Sequence, residues 1–600
     1  MTYQPPIEEI EFTLRHVVGL DQDMADGRAG DLTDDLLSAI LSEAGRFASD
    51  EIAPLAAGGD KEGARFSEGE VTMPKGWKAL YTAWRDAGWN GLAAPAEHGG
   101  QNLPVALSVA VAEMWNGASM AFGIGPTLTM GAVEALETHG SDALKERYLP
   151  KLVSGEWMGT MNLTEPQAGS DLSTLRTRAE RRGDGTYRIF GQKIYITYGE
   201  HDLTDNIVHL VLARLPDAPE GVKGISLFLV PKFLPDEDGH PGARNDAFCH
   251  AIEHKLGIHA SPTCTMIFGD GRGETGEPGA IGWLVGEENR GLACMFTMMN
   301  SARLMVGIQG LGVAEAAYGK ALAYARERRQ GRANLLAKDR AEPASRDMVP
   351  IIEHQDVARM LLRMKALVAS ARAIAYCCGH AIDREKHAES EEDARFWRER
   401  ANLLTPLAKS FPTDVGVDVA SLGVQVHGGM GYVEETGAAR LLRDARIAPI
   451  YEGTNGIQAI DLVTRKLPQS GSQSVRAYIA ELREVAARGG ERDEPGFGAL
   501  AQRLGEALDD LTQTTDQLLQ WLNDGRMADA LAVATPYQRL FALTAGNVYL
   551  AKAALADEGG SARLALAAFM ADSPLTEVAG LKREILQGGE SLLAAREALQ

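Results

Sequence analysis

The hydrophobic period of this 600-residue chain changes twice, near residue 157 and again near residue 291. Before the first change, apolar residues recur at helical spacing, as in residues 36–47. Between the two changes, short β-branched or apolar runs such as 207–215 and 225–230 are bounded by Gly, Pro and Asp. After the second change, long helical patterns return. This order predicts an α+β, mainly α protein with a β domain between helical domains.

The same pattern divides the chain into four predicted domains. They are an N-terminal helical domain (1–156), a middle β domain (157–285), a helical bundle (286–467) and an additional C-terminal helical domain (468–600). Residues 235–245 are a polar insert that we expect to form a surface loop. Residues 334–350 are polar and hold two prolines, so we expect a second loop there.

Composition restricts the class of partner. The net charge of −22 argues against nucleic acid or an anionic membrane. The five cysteines lack metal-ligand spacing, so no metal site is expected, and unpaired cysteines fit a reducing compartment. We find no signal peptide and no apolar stretch near the length of a membrane helix. The sequence therefore predicts a cytoplasmic protein without integral membrane association.

Four stretches carry candidate chemistry, although each alone also fits ordinary structure. Residues 161–171 (MNLTEPQAGSD) fit a turn, and residues 192–199 (QKIYITYG) fit a strand with aromatic rings. Residues 424–432 (VQVHGGMGY) include paired glycines that permit a close backbone approach. A basic cluster in this acidic chain, formed by Arg326, Arg328, Arg329 and Arg332, suits either a pyrophosphate or a solvated helix end.

The fourth stretch, residues 451–458 (YEGTNGIQ), places Glu452 at a predicted break between two helices. A loop rich in Gly, Thr and Asn can leave a carboxylate pointing into a cleft, and its backbone N–H groups can bind an oxygen. An ordinary helix cap beside a surface glutamate is the alternative. Glu434 and Glu435, in the loop after the glycines, are the local competitors for a catalytic carboxylate.

Taken together and in this order, the four stretches resemble the acyl-CoA dehydrogenase family over residues 80–467. The resemblance implies an N-terminal helical domain, a middle β domain and a C-terminal helical bundle. It also implies that the chain holds FAD and passes electrons to an electron-transferring flavoprotein.

The resemblance also implies cofactor contacts. It assigns Met161, Leu163 and Thr164 to the lining of the flavin, Tyr195 to a stacking position often held by Trp, and Thr197 to a hydrogen bond with the ring. The remaining FAD contacts are assigned to Arg328, Gln355, Gln425, Gly428, Gly429 and Thr454, with Arg328 reaching the pyrophosphate of a neighbouring subunit. The residues after Arg328 lack the usual Thr-Phe pair.

By the same resemblance, Ser170, Arg303 and Gly453 bind the substrate, and Glu452 is the catalytic base. In some family members the base instead comes from the residue before the arginine matched by Arg303. That residue is Ala302 here, which cannot accept a proton.

The implied reaction is FAD-dependent α,β-dehydrogenation of an acyl-CoA thioester to the 2-enoyl-CoA. Glu452 would remove the α-proton while a hydride moves to flavin N5. The chain is longer than the usual family member. Its start at residues 3–7, the insert before residues 349–354 and its C-terminal helices resemble a long bacterial subgroup that includes 3-methylmercaptopropionyl-CoA dehydrogenases. We expect the extra helices to leave a homodimer rather than a tetramer. Two alternatives are an acyl-CoA oxidase that uses oxygen and a flavin-containing DNA-protection protein, the latter opposed by the acidic final segment.

Overall fold

The computed structural model describes residues 3–332, 348–494, 496–557 and 561–600, except for the side chain of residue 300. The expected loop at 334–350 therefore lies outside the described residues up to residue 347. Two compact units are present. Unit 1 comprises Met1–Gly45, Val105–Gly117 and Val306–Gln600, and unit 2 comprises Arg46–Pro104 and Ala118–Met305.

Seven helices precede the large sheet in the described chain: α1 Ile7–Phe12, α2 Leu20–Ala25, α3 Asp34–Phe47, α4 Ala53–Glu62, α5 Trp77–Asp86, α6 Val105–His139 and α7 Asp142–Ser154. After the sheet come α8 Gly291–Glu327, α9 Gln355–Lys386, α10 Glu391–His427, α11 Ala438–Ala445 and α12 Asn455–Asp461. The last group is α13 Gln473–Gly490, α14 Phe497–Asn523, α15 Met527–Ala532, α16 Ala534–Ala556, α17 Ser561–Asp572, α18 Glu577–Gln587 and α19 Glu590–Ala595. The α+β, mainly α prediction is confirmed.

The strands are β1 Arg65–Ser67, β2 Glu70–Thr72, β3 Met158–Asn162, β4 Arg178–Arg181, β5 Tyr187–Thr197, β6 Ile207–Arg214, β7 Ile225–Pro231, β8 Phe233–Pro235, β9 Pro241–Arg244, β10 Ala247–Ile252, β11 Thr263–Phe268 and β12 Ala280–Val285. An eight-stranded sheet in unit 2 has the order β10-β11-β5-β12-β7-β6-β3, with β4 beside β5 and β6. Most pairs are antiparallel, whereas β3 and β4 each run parallel to β6. This sheet is the predicted β domain.

The continuous apolar run of β6 has a simple cause, because both of its faces are buried. Val208, Leu210 and Leu212 pack into one hydrophobic core with residues of α6, α7 and α8. The intervening Val211 and Ala213 pack into a second core on the opposite face of the sheet. A strand with two buried faces cannot show the alternation of a half-exposed strand.

The N-terminal helical domain also contains a short element that the sequence did not predict, the β1–β2 hairpin, in which Arg65 pairs with Thr72. One local expectation is wrong. The expected loop at residues 235–245 instead forms part of the β8–β9 ribbon. Each hairpin is only three or four residues per strand, and such short strands lack a periodic signal that distinguishes them from loops.

Three segments are long and apolar enough to cross a membrane by length and composition alone: Val105–His139, Gly291–Glu327 and Ser561–Gln587. The expectation that no stretch approaches that length is therefore wrong. In Val105–His139, 94% of the most apolar window is buried inside the protein. A helix buried on nearly all sides is apolar all round, which explains its membrane-like composition.

The prediction of unpaired cysteines is confirmed. Cys249, Cys264, Cys294, Cys377 and Cys378 are all free thiols. Burial raises the pKa of the Cys378 thiol to about 12, so this group is an inert packing residue rather than a nucleophile.

Candidate active site

In unit 2, the structure brings together two of the stretches predicted to contact the flavin. The backbone N–H of Ile194 donates to the carbonyl of Thr164 at 2.9 Å. The hydroxyl of Thr160, on β3, donates to the carbonyl of Thr197 at 2.7 Å. These bonds hold the end of β3 and the segment after it beside the end of β5. Predicted flavin residues that are 33 positions apart in sequence therefore lie side by side, at a place here called the β3–β5 junction.

A β-bulge in β5 determines the direction of the Tyr195 side chain. The register with β11 shifts between Ile196, which faces Cys264, and Lys193, which faces Met266. Tyr195 lies within this irregularity in the left-handed region, with φ of 60°. Its ring is 60% exposed although its neighbours in the strand are largely buried. Bulges commonly re-aim a side chain beside an active site, and this one leaves an aromatic face open to a ligand.

A buried ion pair fixes the segment after β3. Lys193 is fully buried, and its ammonium lies 2.9 Å from the Glu165 carboxylate and 3.0 Å from the Leu163 carbonyl. Glu165 also accepts from the backbone N–H groups of Arg176 and Thr177. Although burial opposes its ionisation, the charge of Lys193 and these hydrogen bonds lower the pKa of Glu165 to about 2.

The donors at the β3–β5 junction suit a flat ring system with a polar rim. Met161 is buried and supplies apolar contact, while Leu163 is half-buried. Within the described residues, no hydrogen bond engages the hydroxyls of Thr164 and Thr197, and both residues are half-buried. Apolar cover, two available hydroxyls and an exposed aromatic ring together fit the isoalloxazine of FAD.

The two predicted substrate residues of unit 2 lie in different surroundings. Ser170 is exposed and follows a tight turn in which Glu165 and Ala168 exchange backbone hydrogen bonds. Arg303 is buried near the start of α8, with its guanidinium 5.9 Å from the centre of the Phe296 ring. The alternative base position holds Ala302, which is buried and has no carboxylate.

In unit 1, Glu452 lies in the predicted break between helices, here α11 and α12. It is half-buried and adopts φ of 56°, and Gly453 follows with φ of 83°. Two successive left-handed residues turn the chain sharply, and the first of them is unusual for a residue with a side chain. The Thr454 hydroxyl accepts from the N–H of Ile457 at 3.2 Å and thus caps α12.

The residue before Glu452 fixes the loop on α8. The Tyr451 hydroxyl donates to the side-chain oxygen of Gln309, which is itself buried. Burial raises the pKa of Tyr451 well above its usual value, so the phenol stays neutral and remains a donor. The local competitors are unlike Glu452. Glu434 is exposed and paired with Arg443 at 2.9 Å, and Glu435 is exposed.

The other predicted FAD contacts of unit 1 form an exposed surface. The segment containing Arg328 is joined to the start of α9, where Gln355 lies, because Ile351 donates to the Arg328 carbonyl at 2.7 Å. Tyr324, which lies one turn before Arg328, stacks on His427, which is next to Gly428. The remaining residues of this surface are exposed too: Gln425, Gly428 and Gly429. A Cβ added to either glycine would meet nothing within 4 Å, which leaves room for a ligand.

Family models match nearly the whole chain. The N-terminal, middle and C-terminal domain models of acyl-CoA dehydrogenase match residues 35–156, 160–270, and 289–344 with 336–467. A model described as "Acetyl-CoA dehydrogenase C-terminal like" matches residues 474–596.

The chain belongs to the acyl-CoA dehydrogenase family.

Full-length relatives support the same conclusion. A 3-methylmercaptopropionyl-CoA dehydrogenase of Ruegeria pomeroyi is 47% identical, and the match covers 99% of this chain and 100% of the relative. A butyryl-CoA dehydrogenase of Syntrophomonas wolfei is 34% identical over 92% of this chain and 87% of its own length. Among solved structures, Caenorhabditis elegans ACDH-11 in complex with C11-CoA has a TM-score of 0.76 at 20% identity, covering 96% of this chain and 92% of its own. The last likeness supports the fold.

Membership establishes the coarse activity. The chain is an oxidoreductase that dehydrogenates acyl-CoA thioesters, and the cofactor of the family is FAD. The recognition of the family and of its long subgroup from motif order is thereby confirmed.

Several residues that hold the site were not assigned a role from the sequence. They are Lys193 and Glu165 beneath the flavin segments, and Lys409, Gln309 and Asn455 around the Glu452 loop. A weak signal existed for Lys193 only, because a lysine inside an otherwise apolar strand is seldom buried without a partner. The other contacts join segments far apart in sequence, and no local pattern reports them.

Proposed function

We propose that Glu452 is the α-proton base of this acyl-CoA dehydrogenase and that its product is the 2-enoyl-CoA. The observation that carries the proposal is the conformation of Glu452. It is a half-buried carboxylate in a sharply turned loop between two helices, while the alternative base position holds alanine. A strained backbone that the surroundings maintain is typical of functional loops.

The chemistry requires a base and a donor pair. The α-C–H of a thioester is a very weak acid, so a positioned carboxylate and hydrogen bonds to the thioester carbonyl are both needed. In this proposal the Glu452 carboxylate takes the proton, and the backbone N–H of the same residue donates to the carbonyl oxygen. FAD supplies the hydride acceptor at N5.

We propose that the β3–β5 junction, beside the exposed Tyr195, holds the flavin ring. Thr164 and Thr197 would donate to its polar rim, and the ring of Tyr195 would stack beside it. The exposed surface around Arg328, Gln355 and Gln425 would take the pyrophosphate and adenosine of FAD from a neighbouring subunit. An arginine can bind a diphosphate through paired hydrogen bonds.

We propose 3-methylmercaptopropionyl-CoA as the preferred substrate. The support is the 47% identity, over the full length of both chains, to a relative with that name. For the rest of the setting we propose a homodimer in the cytoplasm that passes its electrons to an electron-transferring flavoprotein.

An anaerobic titration of the FAD-loaded protein tests the half-reaction and the substrate together. The panel contains 3-methylmercaptopropionyl-, butyryl-, octanoyl- and palmitoyl-CoA, and the flavin absorbance is followed. We expect the methylthio thioester to bleach the flavin at the lowest concentration. Stronger bleaching by a plain acyl chain would reassign the substrate, and no bleaching by any thioester would contradict the assigned reaction. Rapid peroxide formation in air would instead identify an oxidase.

A further inference from the structure

The loop that carries Glu452 needs a rigid base, because its turn passes through backbone conformations that L-residues seldom adopt. Glu452 and Gly453 both have positive φ, and α12 begins two residues later at Asn455. Holding a non-glycine residue in this region is unfavourable, so surrounding contacts must maintain it. Besides the hydrogen bond of Tyr451 to Gln309 of α8, those contacts lie on α10, within unit 1.

Asn455 is the centre of these contacts. It is buried, and its side-chain oxygen accepts from the Lys409 ammonium at 2.8 Å. Its side-chain nitrogen donates to the Asp414 carboxylate at 2.7 Å and to the Ser410 carbonyl at 3.2 Å. A primary amide offers two donors and one acceptor oxygen, and all are engaged here. The orientation of Asn455 is therefore fixed by α10.

Lys409 joins the two ends of the loop. It is fully buried, and its ammonium also donates to the Ala448 carbonyl at 2.9 Å. The backbone N–H of Asn455 donates to the Pro449 carbonyl at 3.0 Å. Residues 448–455 thus form a loop that is closed at its base, with Glu452 at the turn. One buried ammonium holds both the residue where the loop starts and the residue where it ends.

The charges at this base are balanced through the amide. Asn455 hydrogen-bonds with both Lys409 and Asp414, and the positive charge of Lys409 also acts on Asp414. Burial raises the pKa of the Asp414 carboxyl, and its hydrogen bond with Asn455 opposes that rise. A buried ammonium is unfavourable unless polar groups surround it, so the Lys409 ammonium depends on these hydrogen bonds.

We propose that Lys409 and Asn455, here called the loop anchor, are positioning residues that set the direction of the Glu452 carboxylate. The inference rests on the proposed role of Glu452 as the base. Neither residue touches the reacting atoms in this proposal. The anchor acts by fixing the left-handed turn. Its loss should matter because a displacement of about 1 Å at a catalytic group can cost about 10²-fold in rate.

The test compares Asn455→Ala and Lys409→Met with the parent, using butyryl-CoA and 3-methylmercaptopropionyl-CoA and an artificial electron acceptor. We expect turnover per bound flavin to fall by about 10²-fold, with KM changed far less and the flavin spectrum retained. Lys466→Met is the matched control. That lysine lies 3.9 Å from Asp461, outside the loop anchor, and we expect its kcat to match the parent.

Turnover per bound flavin within twofold of the parent in both anchor variants would overturn the inference. So would a loss that only follows loss of FAD, because that result describes a purely structural role. Glu452→Gln is measured in parallel. If it abolishes turnover while the anchor variants do not, only the positioning inference fails. If Glu452→Gln turns over normally, the base assignment fails and the inference fails with it.

Asn455→Asp provides a readout that general destabilisation does not mimic. The new carboxyl keeps an acceptor for Lys409 but, once ionised, places a second negative charge beside Asp414. The charged groups acting on Asp414 in the parent are Arg539 of α16 and, on α10, Asp418 and Lys409. We expect kcat to approach the parent value at low pH and to fall as pH rises. A pH profile parallel to that of the parent would contradict the inference.

Discussion

At the scale of single residues, the site depends on side chains whose neighbours fix them. Glu452 differs from Glu434 and Glu435 by its surroundings rather than by its chemistry. It lies in a turned, half-buried loop, whereas the other two are exposed. A carboxylate that must remove a weakly acidic proton benefits from a fixed position and from partial exclusion of water.

Glu452→Gln should retain FAD and lose turnover. The amide preserves size and polarity but cannot accept the α-proton, so we expect kcat to fall by about 10²-fold or more. Steady-state kinetics and the flavin absorbance measure the two properties separately. Glu434→Gln is the control, because Glu434 is exposed and pairs with Arg443. Equal losses in both variants would show that the effect is not specific to the base.

Glu165→Gln should destabilise unit 2 by about 3–5 kcal/mol at pH 7, because it leaves the Lys193 ammonium buried without its counter-ion. The pKa of Glu165 is lowered from 4.5 to about 2 in the folded protein. A lowered pKa contributes stability above the unfolded value, and this stability is lost as pH falls through the folded value. The difference between parent and variant should therefore shrink between about pH 4.5 and 2.

Denaturant unfolding followed by tryptophan fluorescence across that pH range measures this difference. A difference that stays constant from pH 7 to pH 2 would show that the ionised pair is not its source. Glu180→Gln is a matched control, since that carboxylate lies on an exposed strand position and pairs with Arg178 at the surface.

At the scale of elements, irregular features place the functional residues. The bulge in β5 exposes Tyr195, and the positive φ values at Glu452 and Gly453 turn the loop before α12.

The start of helix α6 depends on a side chain from another helix. The Asp383 carboxylate, on α9, accepts from the backbone N–H groups of Val105 and Ala106 at the start of α6. A neighbouring helix thus supplies the cap that the local sequence lacks.

Asp383→Ala should destabilise unit 1 by about 1–2 kcal/mol, because two N–H groups at the start of α6 lose their acceptor. Chemical denaturation at pH 8 measures this loss. Asp356→Ala is the control on the same helix, since Asp356 is exposed and pairs only with Arg359 in the contacts described. We expect a change below about 0.5 kcal/mol for that control. A silent Asp383→Ala would contradict the capping role.

At the scale of the whole molecule, the additional C-terminal helices distinguish this chain from shorter family members. Helix α16 packs against both α9 and α12, so the additional domain contacts the bundle that carries Glu452. Gln538 of α16 also donates to the Pro406 carbonyl of α10 at 3.2 Å. These helices therefore cover part of the surface of the bundle.

Light scattering of the FAD-loaded protein should give a mass of twice the 64.4 kDa chain. We expect this mass because the additional domain occupies one face of the bundle, and a homodimer needs only one self-complementary interface. Dilution over two orders of magnitude, with the mass followed at each step, is the control for weak association. A tetrameric mass at all concentrations would contradict this expectation.

The sequence by itself determined the order of domains, the family and the identity of the candidate base. These properties depend on local periodicity and on short motifs such as residues 451–458, in which neighbouring residues act together. Only the tertiary structure decided which groups hold those motifs in place. Lys409 lies 46 positions from Asn455, and Lys193 lies 28 positions from Glu165. Contacts of this kind arise from packing between elements, and no local pattern in the chain specifies them.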